Sequence, residues 1–205
     1  MERDQPSPAP VVAPTGQAFV DRLRAVRPEP APDGAAPSDE DLRLILAAAT
    51  TVPDHGDLRP WRFGVSQGDG RERFARALVE GLHIVRGDDL PEALVDKMRS
   101  KAYAAPCSIM LIASPDTTSN VEVWEQVASA SCTGYAIVLA ATGLGYGAVW
   151  KSAAVLDTAP VRSLFGAGPD ESLLGWINLG TPAPLGRRKL SDLADPPEPQ
   201  VVRID

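Results

Sequence analysis

The sequence predicts a single α+β domain with about four core strands and long helices, one of them central. Three observations carry this. Four short segments, "WRFGVSQ", "CSIMLIAS", "GYGAVWKS" and "LLGWINLGT", read as strands bounded by glycine or proline turn signals. Between them lie stretches with apolar residues at helical spacing. The longest, Val121 to Leu144, carries no charge after Glu125 and is almost entirely small or apolar in its middle. That pattern marks a helix buried on most sides. At 205 residues and 44% apolar content the chain can bury a sizeable core.

In order, residues 1–14 are proline-rich and lack a basic stretch followed by an apolar block, so they are expected to be a disordered leader and not a signal peptide. The domain proper then runs over residues 15–205. Thr15 is a plausible N-cap for a short helix with Phe19, Leu23 and Val26 on one face. "PEPAPDGAAP" forbids regular structure. Ser38 and Asp41, three apart, open a helix with Leu42, Ile45, Leu46 and Ala49 as its stripe, and Pro53 stops it. Trp61, Phe63 and Val65 alternate as in a half-buried strand. "RERFARALVEGLHIV" is a helix with His83 near its end on the surface, and "PEALVDKMRSKAYAA" is another. "CSIMLIAS" is a buried strand. "APVRSLFG" is a short helix between the last two strands. The tail, residues 187–205, is polar and proline-rich and ends in "VVRI", which suits an arm reaching over a surface or a partner subunit. No internal repeat or second domain boundary is visible.

The net charge of −7 disfavours nucleic-acid or anionic-membrane binding, because both need a basic face. No apolar run reaches membrane-spanning length. Cys107 and Cys132 stand isolated in apolar segments, without disulfide or CxxC spacing, and the cytoplasm is the expected compartment. Two histidines and two cysteines without a clustered motif leave a zinc site almost no ligands.

Four constellations could carry chemistry. The glycines at 143, 145 and 147 follow a helix and precede a strand, the reverse of the dinucleotide-binding order. They read instead as a helix C-cap at Gly143 and close packing at the other two. No nucleophile elbow accompanies any serine, and Cys132 reads as a small buried residue inside a helix. Arg22, Arg24 and Arg27 make a cationic helix end that is either a solvated surface or a phosphate site. His55 sits between two prolines in "TTVPDHGDLRPWRF". It has no companions for a metal and no nucleophile to serve as a base, which leaves a ligand contact or a structural loop residue.

Together these segments resemble the FMN-dependent nitroreductase superfamily, and within it the short bacterial branch of NAD(P)H nitroreductases. Pro53, Asp54, His55, Pro60, Trp61 and Phe63 match its A-P-D-H…P-W-x-F pattern, and "GDGRERF" continues it. "WEQVASASC" resembles the start of its central helix, and "GYGAVWKSA" and "LGWINLGTP" its last two core strands. The resemblance runs from about Gln17 to the C-terminus. It implies a central mixed or antiparallel sheet of four to five strands flanked by helices. It also implies a homodimer with FMN at the interface, the long helix in that interface and a C-terminal arm swapped onto the partner. NAD(P)H would give a hydride to the flavin, which would reduce a nitroaromatic, a quinone or a similar acceptor by a ping-pong route. The flavin carries the chemistry, so no catalytic side chain is implied.

The resemblance places cofactor contacts at Arg22, Leu23, Arg24, Thr51, His55, Trp150, Lys151 and Ser152. Three of these places depart from the family pattern. Leu23 and Arg24 replace an arginine and a serine, Thr51 stands where the branch tends to have arginine, and Lys151 replaces an arginine that could fork. A second class therefore stays open: a flavin-binding or flavin-sequestering protein with little turnover.

Overall fold

The structure, a computed structural model, describes residues 16–24 and 27–184 of the 205. The expected leader, Thr15 and the C-terminal arm lie outside the described residues. Two compact units are present: helix α1 (Gly16–Arg24) belongs to one, and the described chain from Arg27 onward to the other. They are taken separately.

The larger unit is a four-stranded sheet of β1 (Trp61–Gln67), β2 (Cys107–Ala113), β3 (Gly147–Lys151) and β4 (Ser172–Gly180). Its order is β1-β2-β4-β3 and every pairing is antiparallel, so among the described residues no parallel strand makes it mixed. The period of two along each strand decides which helices each residue meets. Ile109, Leu111, Ile177, Leu179 and Ala148 pack with Ile45 and Ala49 of α2 (Asp39–Ala49) and Ile137, Val138 and Ala141 of α5 (Val123–Gly143). Met110, Ile112 and Trp176 point the other way, into a core with Phe74 and Leu78 of α3 (Gly70–Arg86) and Val161 of α6 (Ala159–Leu164). Helix α4 (Glu92–Ser100) lies on that second side through Met98. With helices on both faces, β2 is buried along its whole length, which is why it reads as a continuous apolar run.

Local chemistry explains the boundaries. The Ser38 hydroxyl accepts from the Asp41 backbone N–H at 3.1 Å and donates to the Asp41 carboxylate, capping α2 where its spacing predicts. The cap of helix α5 falls at Leu144, one residue past the expected Gly143. Gly143 is its last helical residue, and the left-handed turn falls at Gly145, with φ +90°. Tyr146 N–H then bonds the Ala141 carbonyl at 2.9 Å and Gly145 N–H the Thr142 carbonyl at 3.1 Å, as in a Schellman stop. Gly147 is the close-packed glycine: a Cβ there would lie 2.7 Å from the Glu29 carbonyl oxygen. Cys132 departs from its expected burial. It is exposed on α5, whereas Cys107 is buried.

Candidate functional site

Two groups of side chains in the larger unit are candidates for a ligand site. The first is the loop after α2. Its hydroxyls are occupied locally, since Thr51 Oγ1 donates to the Ala48 carbonyl at 2.8 Å and Thr50 Oγ1 to that of Ala47 at 2.9 Å. Past Pro53 the chain makes one 3₁₀ turn, His55–Asp57. Gly56, Asp57 and Arg59 have φ of 80°, 51° and 49°, left-handed values that cost the two non-glycine residues conformational energy. Asp54 offsets this by accepting the Arg59 backbone N–H at 2.7 Å, so the carboxylate staples the loop across its own base. The result is an exposed His55 whose Nδ1 lies 3.0 Å from Glu125 Oε2, in the first turn of α5.

The second group is a cavity of about 320 Å³ at the edge of the opposite sheet face. Lys151 and Ser152 enter it from the end of β3. Lys97 and Ser100 enter from α4, Lys101 and Ala104 from the 3₁₀ turn after it, and Trp176 and Asn178 from β4. Lys151 reaches it because it alternates with Trp150 along β3 and is paired in register with Trp176. Three of the chain's four lysines thus converge in a protein of net charge −7, with no carboxylate among the described residues that line the space. The Trp176 indole N–H is buried without a hydrogen-bond partner. A buried donor of this kind costs stability. Asn178 Oδ1 accepts from Ser108 Oγ at 2.9 Å, which fixes the amide in place. Lys151 Nζ lies 3.0 Å from Glu29 Oε1, an ion pair at the cavity rim.

The residues singled out in the sequence are thus divided. Lys151 and Ser152 share the cavity. Trp150 faces away from it: its Nε1 donates to the Leu174 carbonyl at 3.2 Å and its ring packs against Gly134 of α5, so it holds β3 against the helix. Leu174 links Trp150 to the histidine loop, because it also packs against the cluster of Trp61, Ala113 and Ala130. At Leu174 the β2–β4 register slips, a bulge that turns this carbonyl toward Trp150. Arg22 and Arg24 are exposed on α1 and Leu23 is half-buried, within the separate unit. Arg27 lies over the Tyr135 ring at 5.5 Å. Sequence reasoning missed Lys97, Lys101, Trp176 and Glu125. The two lysines are four residues apart in "DKMRSK", one helical turn, and that spacing alone could have flagged them.

A profile of the Nitroreductase family matches residues 33–181, well over half of the chain. The chain belongs to the nitroreductase family. It is 37% identical over 147 residues, 72% of its own length and 79% of the relative's, to the Escherichia coli K12 protein named "Putative NAD(P)H nitroreductase YdjA". Among solved structures it resembles a nitroreductase with bound FMN from Bacteroides fragilis, with TM-score 0.64 and 18% identity, covering 94% of this chain and 100% of that one. It also resembles the FMN-dependent nitroreductase NfnB from Mycobacterium smegmatis in complex with NADPH, with TM-score 0.60 and 20% identity, covering 87% and 97%. Both groups of the candidate site fall within the family match except Glu29, and α1 lies wholly before it. The α+β architecture expected from the resemblance stands, with a sheet of four antiparallel strands. No helix among the described residues is long and apolar enough to cross a membrane, and none of their His, Cys, Asp and Glu groups could hold a metal ion.

Proposed function

We propose that this chain is an FMN-dependent oxidoreductase that takes a hydride from NAD(P)H and passes it to a nitroaromatic, a quinone or a similar small acceptor in ping-pong fashion. The observation that carries the reading is the lysine cavity containing Lys151 and Ser152, in a chain of the nitroreductase family. FMN, when bound, supplies two-electron acceptance and donation. The donor set suits such a group: three lysines and two serines line the space, matching a ligand with phosphate and carbonyl oxygens. Lys97, Lys101 and Lys151 would hold and neutralise that negative charge, and Asn178, fixed by Ser108, would orient against it. His55 lies on the other side of the sheet, and would meet such a ligand from the loop of the second copy.

The active form in this reading is a homodimer. On α5, Trp124, Ala128, Cys132 and Tyr135 are exposed at spacings of four, four and three, one continuous stripe. An exposed stripe of this kind on a long helix suits a second copy of the chain. Residues 187–205 would reach onto that copy, and Arg22, Leu23, Arg24 and Thr51 would complete the flavin contacts with Trp150 as their support.

The test is the visible absorption of the purified protein before and after FMN is added, followed by NAD(P)H oxidation with nitro and quinone acceptors. Bound flavin and acceptor-dependent turnover are expected; a protein that takes up no FMN and oxidises no NAD(P)H would sink the proposal. The alternative, flavin sequestration, has its own motive: Leu23 replaces an arginine, and Lys151 is already paired to Glu29. Tight FMN binding with negligible turnover would decide for it.

A further inference from the structure

We propose that Glu125 is a positioning residue for His55, holding the imidazole in its Nδ1–H form so that Nε2 is presented as a hydrogen-bond acceptor to a ring N–H of the ligand. This rests on the reading that His55 meets the flavin. A carboxylate can only accept, so at 3.0 Å from Glu125 Oε2 the His55 Nδ1 must carry the hydrogen. In the neutral ring the second nitrogen then has a lone pair and no proton. The His55 side chain is 70% exposed, against 34% for Glu125, so the carboxylate covers one side of the ring and leaves the other open.

Both partners are held from behind. The loop is stapled by Asp54 to the Arg59 N–H, and Gly56 turns with φ +80° directly after the histidine. The start of α5 is pinned by the residue next to Glu125. Gln126, 2% exposed, accepts from Asp116 N–H at 2.8 Å and donates to the carbonyls of Asp116 at 3.0 Å and Val121 at 2.9 Å. Glu125 therefore stands on a rigid footing and reaches across 70 positions of sequence to one ring. The His55–Glu125 pair offers an acceptor, which would suit the imide N–H of a flavin ring. Without the carboxylate, the imidazole would be free to present N–H at Nε2 and repel that group.

Nitrogen-15 NMR of the histidine side chains tests this directly, because the chain has two histidines and H83Q leaves His55 alone. In the neutral ring, protonated Nδ1 and bare Nε2 are expected. E125A is expected to shift the ring toward the Nε2–H form. A parent ring with Nε2 protonated, or one unchanged by E125A, overturns the assignment. FMN titration supplies the second readout. H55A and E125A should each weaken binding about threefold to tenfold. The double variant should bind no worse than H55A, because Glu125 acts through the ring. Losses that multiply would overturn the proposal by showing Glu125 acts independently. A parent protein that takes up no FMN removes the flavin reading, while the tautomer measurement still decides what Glu125 does to the ring.

Discussion

Arg62 holds Glu171 with a fork: Nε donates to Oε1 and Nη2 to Oε2, each at 2.6 Å. Glu171 also accepts the Gly168 backbone N–H at 2.8 Å, so one carboxylate ties β1 to the turn before β4. Together these donors, the Arg62 fork foremost, lower its pKa to about 2, against the opposing effect of burial. A carboxylate depressed in the folded state stabilises the protein above its ordinary range near 4.5 and stops doing so as pH falls toward 2. R62A is expected to lower stability by about 1–3 kcal/mol in urea unfolding at neutral pH. The variant should also show less further loss than the parent between those two pH values. An acid limb identical in parent and R62A would rule out the fork as its cause.

The lysine cavity predicts a graded loss of cofactor. K101A and K151A should each weaken FMN binding about tenfold, and the more exposed Lys97 about threefold on truncation to alanine. Added salt should weaken the parent more than the K97A/K101A double variant. Equilibrium titration by flavin fluorescence reads both effects, and equal affinities across the set would show that the ligand sits elsewhere.

The α5 stripe predicts an obligate pair. A128R and C132R place a long cation in the middle of an exposed face, so the folded chain should survive while self-association is lost. Sedimentation velocity should find a dimer for the parent and a monomer for each variant, with FMN retention falling alongside. A parent that sediments as a monomer contradicts the homodimer.

Gly134 predicts a packing limit at the same helix. A Cβ there would lie 2.8 Å from both Leu111 Cδ2 and the Trp150 ring. G134A should cost about 1–3 kcal/mol through overpacking, even though alanine favours helix by about 0.5–1 kcal/mol. Chemical denaturation measures the balance, and a more stable G134A would mean that β3 shifts without penalty.

These tests separate what was legible in the sequence from what was not. The strand from Trp61 and the helix from Ser38 were readable because their signals are local: alternation in one, a hydroxyl three residues before a carboxylate in the other. Lys151 and Ser152 could be reached through family resemblance. Lys97 and Lys101 lie outside that resemblance, and their one-turn spacing marks a shared helix face without saying whether it meets water or a neighbouring strand. Glu125 was invisible for another reason. Its partner is 70 residues away, and no periodicity spans a loop, a sheet edge and a helix start. Cys132 was misjudged because an apolar helix without charges reads as enclosed, while one of its faces is left for another surface.

The stretch from Pro28 to Pro30 has a bearing on how the sheet can be extended. Its Pro28 carbonyl takes the Ala148 N–H at 3.0 Å, and its Glu29 carbonyl takes that of Ala183 at 2.8 Å. Two prolines in three residues leave that strip with a single amide hydrogen to offer outward. Among the described residues, a foreign strand approaching β3 would find Ala148 N–H already taken, while β1 is the strand at the other end of the sheet. The strip therefore hinders growth of the sheet past the start of β3, whether by a tail from another copy or by misassembly in a crowded refolding mixture. The strip that carries the counter-ion of Lys151 is also the selvedge of the fabric.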